Sequence, residues 1–199
     1  MRILIVGTMG EVGKAAVAEL GARHEVIKAG RSTGDVQVDL MDTASIGAMY
    51  EKLGKLDAVV ACAGHAHFGP LATMTEAQFM VGLKDKLMGQ VNLVLLGIRH
   101  VNDRGSFTLT SGVLDRDPIL KGANGATVNA ALKGFVTAAA VELERGIRIN
   151  VVSPGLLEAS VKKYEGFFPG HEAVSSARVG LAYAKSVEGA ITGQVIIIS

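Results

Sequence analysis

Short β-branched apolar runs alternate along the chain with segments whose apolar residues recur at helical spacing. Ile3 to Val6 is the first run and reads as a buried strand. Val12, Ala16 and Leu20 follow at helical spacing, with Gly21 as a stop signal. His24 to Ala29 reads as a second strand, and the alternating Val36 to Leu40 as a short third. Asp42-Thr43 caps a helix striped by Ile46, Met49, Tyr50 and Leu53. Leu56 to Cys62 is unbroken and apolar, as a parallel strand covered on both faces should be. One long helical segment is expected from Thr73 or Thr75 to about Val101, with Gly82, Gly89 and Gly97 along it. Gly105 to Ser111 reads as the fifth strand, followed by a polar loop, and Ala126 to Glu144 as an alanine-rich helix. Ile147 to Val152, a helix over His171 to Lys185, and a seventh strand at Gln194 to Ile198 complete the pattern.

Strand and helix in strict alternation predict parallel strands joined by crossover helices. The expected fold is α/β: a single-domain Rossmann-type doubly wound parallel sheet over residues 1–199, with about seven strands and helices on both faces. In such sheets a ligand sits beyond the strand C-termini, at the topological switch point. The polar motifs of this chain fall at those ends: Gly7 to Gly13, Arg31, Gly64 to His67, Ser111, and Ser153 to Gly155.

Composition narrows the classes. Of 199 residues, 49% are hydrophobic and 20% charged, which predicts a folded domain with a large core. Lys plus Arg is 20 against 19 for Asp plus Glu, so no basic excess points to nucleic acid. Cys62 is the single cysteine, which excludes an internal disulfide and a thiolate metal cluster. No apolar run is long enough to span a bilayer, and Met1-Arg2 leads straight into a strand, so a cytoplasmic location is expected.

The chemistry begins at GTMGEVG, residues 7–13. Gly7, Gly10 and Gly13 come directly out of a strand and open a helix. Glycine permits the tight turn and the close approach of backbone to a pyrophosphate, and the helix N-terminus offers free N–H groups to it. Gly30-Arg31-Ser32 stands at the end of the second strand, where a carboxylate would grip ribose hydroxyls and an arginine would pair with a 2′-phosphate. Arg31 therefore predicts NADP, with NAD as the alternative; the competing reading of Arg31 is a solvated loop residue.

These motifs, with Asp39-Leu40, Cys62-Ala63-Gly64, RINVVSPG at 148–155 and ITGQVIII at 191–198, resemble the short-chain dehydrogenase/reductase family over nearly the whole chain. The resemblance implies an NAD(P)(H)-dependent oxidoreductase acting on a small hydroxyl or carbonyl compound, assembled as a homodimer or homotetramer. It implies cofactor contacts from Gly7, Thr8, Met9, Gly10, Glu11, Val12 and Gly13, and from Arg31 and Ser32. Asp39 and Leu40 would meet adenine, Cys62, Ala63 and Gly64 the nicotinamide ribose, and Pro154 and Gly155 would flank the nicotinamide. The family's chemistry uses a Tyr and a Lys four residues apart on one helix, a Ser, and an Asn on the preceding long helix. Here Lys133 matches the Lys, Asn129 stands in the Tyr position, Lys86 in the Asn position, and Ser111 is the candidate Ser, although a strict count from Gly105 reaches Gly112. An amide has no useful acid pKa. The alternative acids are His65, His67 and Tyr164, and the alternative function is a non-catalytic NADPH-binding or sensing protein.

Overall fold

Alternate residues of β1 (Arg2–Val6) face opposite sides of the sheet, and both sides are covered. Leu4 and Val6 pack with Ile46, Tyr50, Leu93 and Leu132, whereas Ile3 and Ile5 pack with Ala16, Leu20, Val179 and Tyr183. β4 (Leu56–Ala61) splits in the same way, with Val59 and Ala61 on the first side and Ala58 and Val60 on the second. Two-sided burial is why these strands read as unbroken apolar runs. The structure is a computed structural model and describes residues 1–199.

The other strands are β2 (Glu25–Gly30), β3 (Val36–Gln37), β5 (Val101–Thr110), β6 (Arg148–Pro154) and β7 (Val195–Ile198). All pairings are parallel, in the order β3-β2-β1-β4-β5-β6-β7. The chain leaves the centre in one direction through β2 and β3, then restarts at β4 in the other. The switch point therefore lies between β1 and β4. Val6 is opposite Ala29 on one side and Ala61 on the other, so Gly7 and Cys62 leave the sheet side by side.

The helices are α1 (Glu11–Gly21), α2 (Thr43–Leu53), α3 (Glu76–Gly82), α4 (Gly89–Gly97), α5 (Ala123–Glu142) and α6 (Ser176–Glu188). Asp42 caps α2 by accepting from the Ala44 N–H, as expected. None of the helices is long and apolar enough to cross a membrane.

Three expectations change. The third strand shrinks to Val36–Gln37, because Asp39 instead turns its carboxylate onto the Met41 N–H. The last helix starts at Ser176, where Ser175 caps it through the Arg178 N–H; His171 lies before it, beside Asp117 at 2.9 Å. The long helix is not one regular helix to Val101. Thr75 and Gln78 form a capping box at its start, but α3 and α4 are joined by a π turn, Leu83–Met88, and Val101 already belongs to β5.

The π turn has a visible cause. Asn124 of α5 is fully buried and donates through Nδ2 to the Phe79 carbonyl at 2.6 Å. Its Oδ1 accepts from the Gly82 N–H at 3.2 Å and the His67 N–H at 2.9 Å. The Leu83 N–H, released from Phe79, bonds Met80 instead. A side chain inserted into the helical ladder is a recognised source of such distortion, and π turns recur at functional sites.

Candidate active site

A cleft of 810 Å³ opens over the strand C-termini at the switch point. The Gly7 to Val12 turn, Gly30 to Thr33 and Cys62 to His65 line it, and so do Lys86, Ser111 to Leu114, Asn129 and Pro154 to Leu157. Tyr164 and Phe168, in the segment between β6 and α6, cover its far end.

Gly7 has φ +89°, and a Cβ there would lie 2.7 Å from the Ala63 nitrogen, so only glycine fits between β1 and β4. Gly10 caps α1 with no side-chain bond, and a Cβ there would meet nothing closer than the Gly7 carbonyl at 3.8 Å. Free N–H groups at the start of an eleven-residue helix therefore face the open cleft, the arrangement that favours anions at a helix N-terminus. Gly13 lies inside the first turn against the Gly7 carbonyl and brings α1 onto the turn rather than lining the cleft. Arg31, 62% exposed, stands at the β2 end of the cleft with Ser32 and Thr33; its guanidinium is 3.6 Å from the Asp39 carboxylate. Asp39 and Leu40, expected at adenine, do not line the cleft. Leu40 is buried against Gly89 of α4, and the Asp39 carboxylate is held by the Met41 N–H.

At the other end the structure brings Lys86, Ser111 and Asn129 together. The Lys86 ammonium, carried on the π turn, donates to the Ser111 carbonyl at 2.9 Å and to Asn129 Oδ1 at 2.7 Å. Asn129 Nδ2 donates to the Gly112 carbonyl at 3.2 Å, so the amide is oriented by both neighbours. Burial pulls the Lys86 ammonium down to about 8, with Asp115 drawing it the other way.

Lys133 is not part of this group. Its ammonium sits 3.5 Å from the Asp115 carboxylate, off the cleft wall. One turn before Asn129 stands Gly125, buried behind the cleft lining, where a Cβ would meet Leu114, Phe68 and Ala66. The spacing of Asn129 and Lys133 is as expected, but Asn129 faces the cleft and Lys133 turns to Asp115. No tyrosine stands on the cleft face of α5 at either turn. Among the alternative acids, His65 and Tyr164 line the cleft, whereas His67 folds back against Gly69.

Asp115 and Arg116 escaped the sequence reading, in which their loop was only polar. The Asp115 side chain has no exposure and lies between Lys133 at 3.5 Å and Arg116 at 3.3 Å. It accepts from the hydroxyls of Ser111 and Ser153, each at 3.4 Å. Arg116 in turn donates to Ser153 Oγ at 2.6 Å and to its carbonyl at 3.3 Å. This network ties the end of β5 to Ser153-Pro154 at the end of β6 and spends the Ser111 hydroxyl on Asp115.

Comparison with known proteins was consistent across sequence and structure. A family model described as enoyl-(acyl carrier protein) reductase matches residues 2–197. A short-chain reductase protein, NovJ, from Streptomyces niveus is 28% identical over 163 residues, 79% of this chain, and the chain spans 60% of that relative's length. The crystal structure of the protein lin1944 from Listeria innocua is 48% identical, with full coverage of both chains and a TM-score of 0.99. A small-chain dehydrogenase in complex with NADPH is 25% identical, with a TM-score of 0.86 over all of this chain and 96% of the other.

Proposed function

Because the chain belongs to the short-chain dehydrogenase/reductase family of oxidoreductases, we propose that it binds NADP(H) along this cleft and acts on a small hydroxyl or carbonyl compound beside Lys86 and Asn129. The observation that carries this reading is the continuity of the cleft. It runs from Arg31, past the Gly7–Gly10 cradle at the α1 N-terminus, to Gly64, Ser111 and Asn129. When bound, the dinucleotide supplies or accepts a hydride at the substrate carbon. The chain's own residues do the rest. The α1 N-terminus holds phosphate, Arg31 meets the 2′-phosphate, and Pro154-Gly155 walls the reacting end. Phe68, Leu114, Leu156 and Phe168 give the substrate end an apolar lining that excludes water.

NADP rather than NAD is favoured by Arg31 and by the absence of a carboxylate lining the cleft at the β2 end. The NADPH complex of a small-chain dehydrogenase supports the same choice. Fluorescence titration tests it. NADPH binds more tightly than NADH, and Arg31→Ala narrows the gap by a charge-assisted contact, about 1.5–3 kcal/mol. Equal affinities of the unmodified protein would overturn the assignment.

A second reading, a non-catalytic NADPH-binding protein, is favoured by one observation: the α5 residue that lines the cleft, Asn129, is not an acid, and that helix carries no tyrosine. Tyr164 at the cleft's far end decides between the two. NADPH oxidation on a carbonyl panel that disappears in Tyr164→Phe, with NADPH binding intact, identifies an enzyme whose acid has moved.

A further inference from the structure

Three cationic side chains of the lysine and arginine type line the cleft: Arg31 at one end, Lys163 at the mouth, and Lys86 at the wall between Gly64 and Asn129. Lys133 and Arg116, the nearest others, are committed to the buried Asp115. Lys86 is held unusually firmly for a lysine. Its stem lies against Gly64, which has φ +128° and where a Cβ would fall 2.7–2.9 Å from Lys86 Cα, Cβ and Cγ. Two of its three N–H donors go to the Ser111 carbonyl and Asn129 Oδ1. The third has no acceptor in the protein, on a side chain that lines the cleft.

We infer that Lys86 is the cationic anchor for the nicotinamide ribose, its free N–H reaching the ribose hydroxyls from the π turn of the long helix, with Lys133 taking no part. This rests on the cofactor reading given above. Phosphate at the α1 N-terminus and a 2′-phosphate at Arg31 leave the nicotinamide riboside half of the dinucleotide to extend toward Gly64 and Lys86. A vicinal diol there offers the oxygen acceptors that the third N–H lacks. Asn129 acts as the acceptor that aims the ammonium, and Asn124, by taking the Phe79 carbonyl, creates the turn that carries it. The charged groups around Lys86 are Lys84 and Asp85 on its own turn, His65 bonded to Asp85 at 3.2 Å, and Asp115 with its partner Lys133 behind the β5 end.

The test compares NADPH with 2′,5′-ADP, which carries the adenosine and its 2′-phosphate but no nicotinamide ribose. Fluorescence titration is used for NADPH and calorimetry for 2′,5′-ADP, with thermal melts confirming that each variant folds. Lys86→Met weakens NADPH binding about ten-fold or more, the worth of a lost hydrogen bond to a charged donor, and leaves 2′,5′-ADP binding unchanged. Lys86→Arg recovers part of the NADPH affinity. In the unmodified protein NADPH affinity falls as pH rises through about 8, whereas 2′,5′-ADP affinity does not. An undiminished NADPH affinity in Lys86→Met, or an equal loss for both ligands, overturns the inference. Failure of the unmodified protein to bind either ligand overturns the cofactor reading itself.

Discussion

Lys133 and Asp115 form an ion pair of 3.5 Å in which the carboxylate has no exposure at all and the lysine side chain is 29% exposed. A buried carboxylate stripped of one partner is costly, typically by about 3–5 kcal/mol, because its charge is left uncompensated. Here Arg116 remains at 3.3 Å and softens the loss. Lys133→Met is therefore expected to lower stability in urea denaturation toward the lower end of that range, while leaving NADPH affinity unchanged. Asp115→Ala is expected to cost more, since it releases Lys133, Arg116 and the hydroxyls of Ser111 and Ser153 together. A Lys133→Met protein of native stability and weakened NADPH binding would contradict this account.

Which features were legible in the sequence follows from the range of the contacts involved. The Gly7–Gly13 turn is written locally: strand, glycine spacing and helix all lie within twenty residues, and the turn sits at the switch point. Arg31 is local too, placed by the end of β2. Asn124 and Asp115 are not. Asn124 matters because it meets Phe79, 45 residues away, and Asp115 because it meets Ser153, 38 residues away. The helical pair Asn129 and Lys133 shows the limit of spacing. A separation of four puts two residues near one face, but which of them looks into the cleft is decided by Asp115, which draws Lys133 away, and by Lys86, which holds Asn129.

Asn124 gives a sharp stability prediction. It satisfies the Phe79 carbonyl, the Gly82 N–H and the His67 N–H from a fully buried position. Asn124→Leu removes all three bonds at similar volume. Each buried backbone group left without a partner costs about 1–3 kcal/mol. The variant is expected to lose several kcal/mol in chemical denaturation and, where it folds, to bind NADPH more weakly because the turn carrying Lys86 relaxes toward a regular helix. Hydrogen exchange at residues 83–88 should rise in parallel.

Placing a tyrosine on α5 distinguishes its turns. Asn129 is 3% exposed, with Gly112 and Lys86 against its amide. Asn129→Tyr overfills that space and is expected to destabilise the fold by about 1–3 kcal/mol without creating turnover. At Gly125 the neighbours are the side chains of Leu114, Phe68 and Ala66, and the first two line the cleft. Gly125 is itself buried and a Cβ there already falls 3.0 Å from Leu114, so Gly125→Tyr must push Leu114 and Phe68 aside toward the cleft and is expected to lower the melting temperature at least as much. Any gain in NADPH oxidation on carbonyl compounds should appear in Gly125→Tyr rather than in Asn129→Tyr.

Cys62 is a convenient reporter because it is the only thiol. Burial pushes it up to about 12, with Tyr183 and Thr110 drawing it partly back. At pH 8 little of it is thiolate, the form that reacts. Labelling by a thiol reagent should therefore be far slower than for an unfolded chain, rising about ten-fold for each pH unit while the fold holds. Cys62 is half-buried at the cleft wall, so fast labelling at pH 8 in the native protein would contradict the raised pKa.

Assembly can be tested without disturbing the protomer. Val81, Met88 and Leu95 recur every seven residues along the α3–α4 segment and are 41%, 42% and 56% exposed. On α5, Ala130, Gly134 and Ala138 form a solvent-facing row of small residues at a spacing of four. An apolar stripe beside a row of small residues suits close packing of two copies across a two-fold axis, and we expect a dimer or larger through these helices. Gly134 provides the cleanest probe: a Cβ there meets nothing within 4 Å in its own chain. Within a monomer, Gly134→Arg is therefore free of clashes. It replaces the poorest helix former after proline with a good one, a gain of up to ~1 kcal/mol. Across a tight helix–helix interface the same side chain sets two bulky cations against each other. Sedimentation should then show the unmodified protein as a dimer or tetramer at micromolar concentration and Gly134→Arg as a smaller species whose protomer is no less stable. A monomeric unmodified protein, or an assembly indifferent to Gly134→Arg, would remove these helices as the interface.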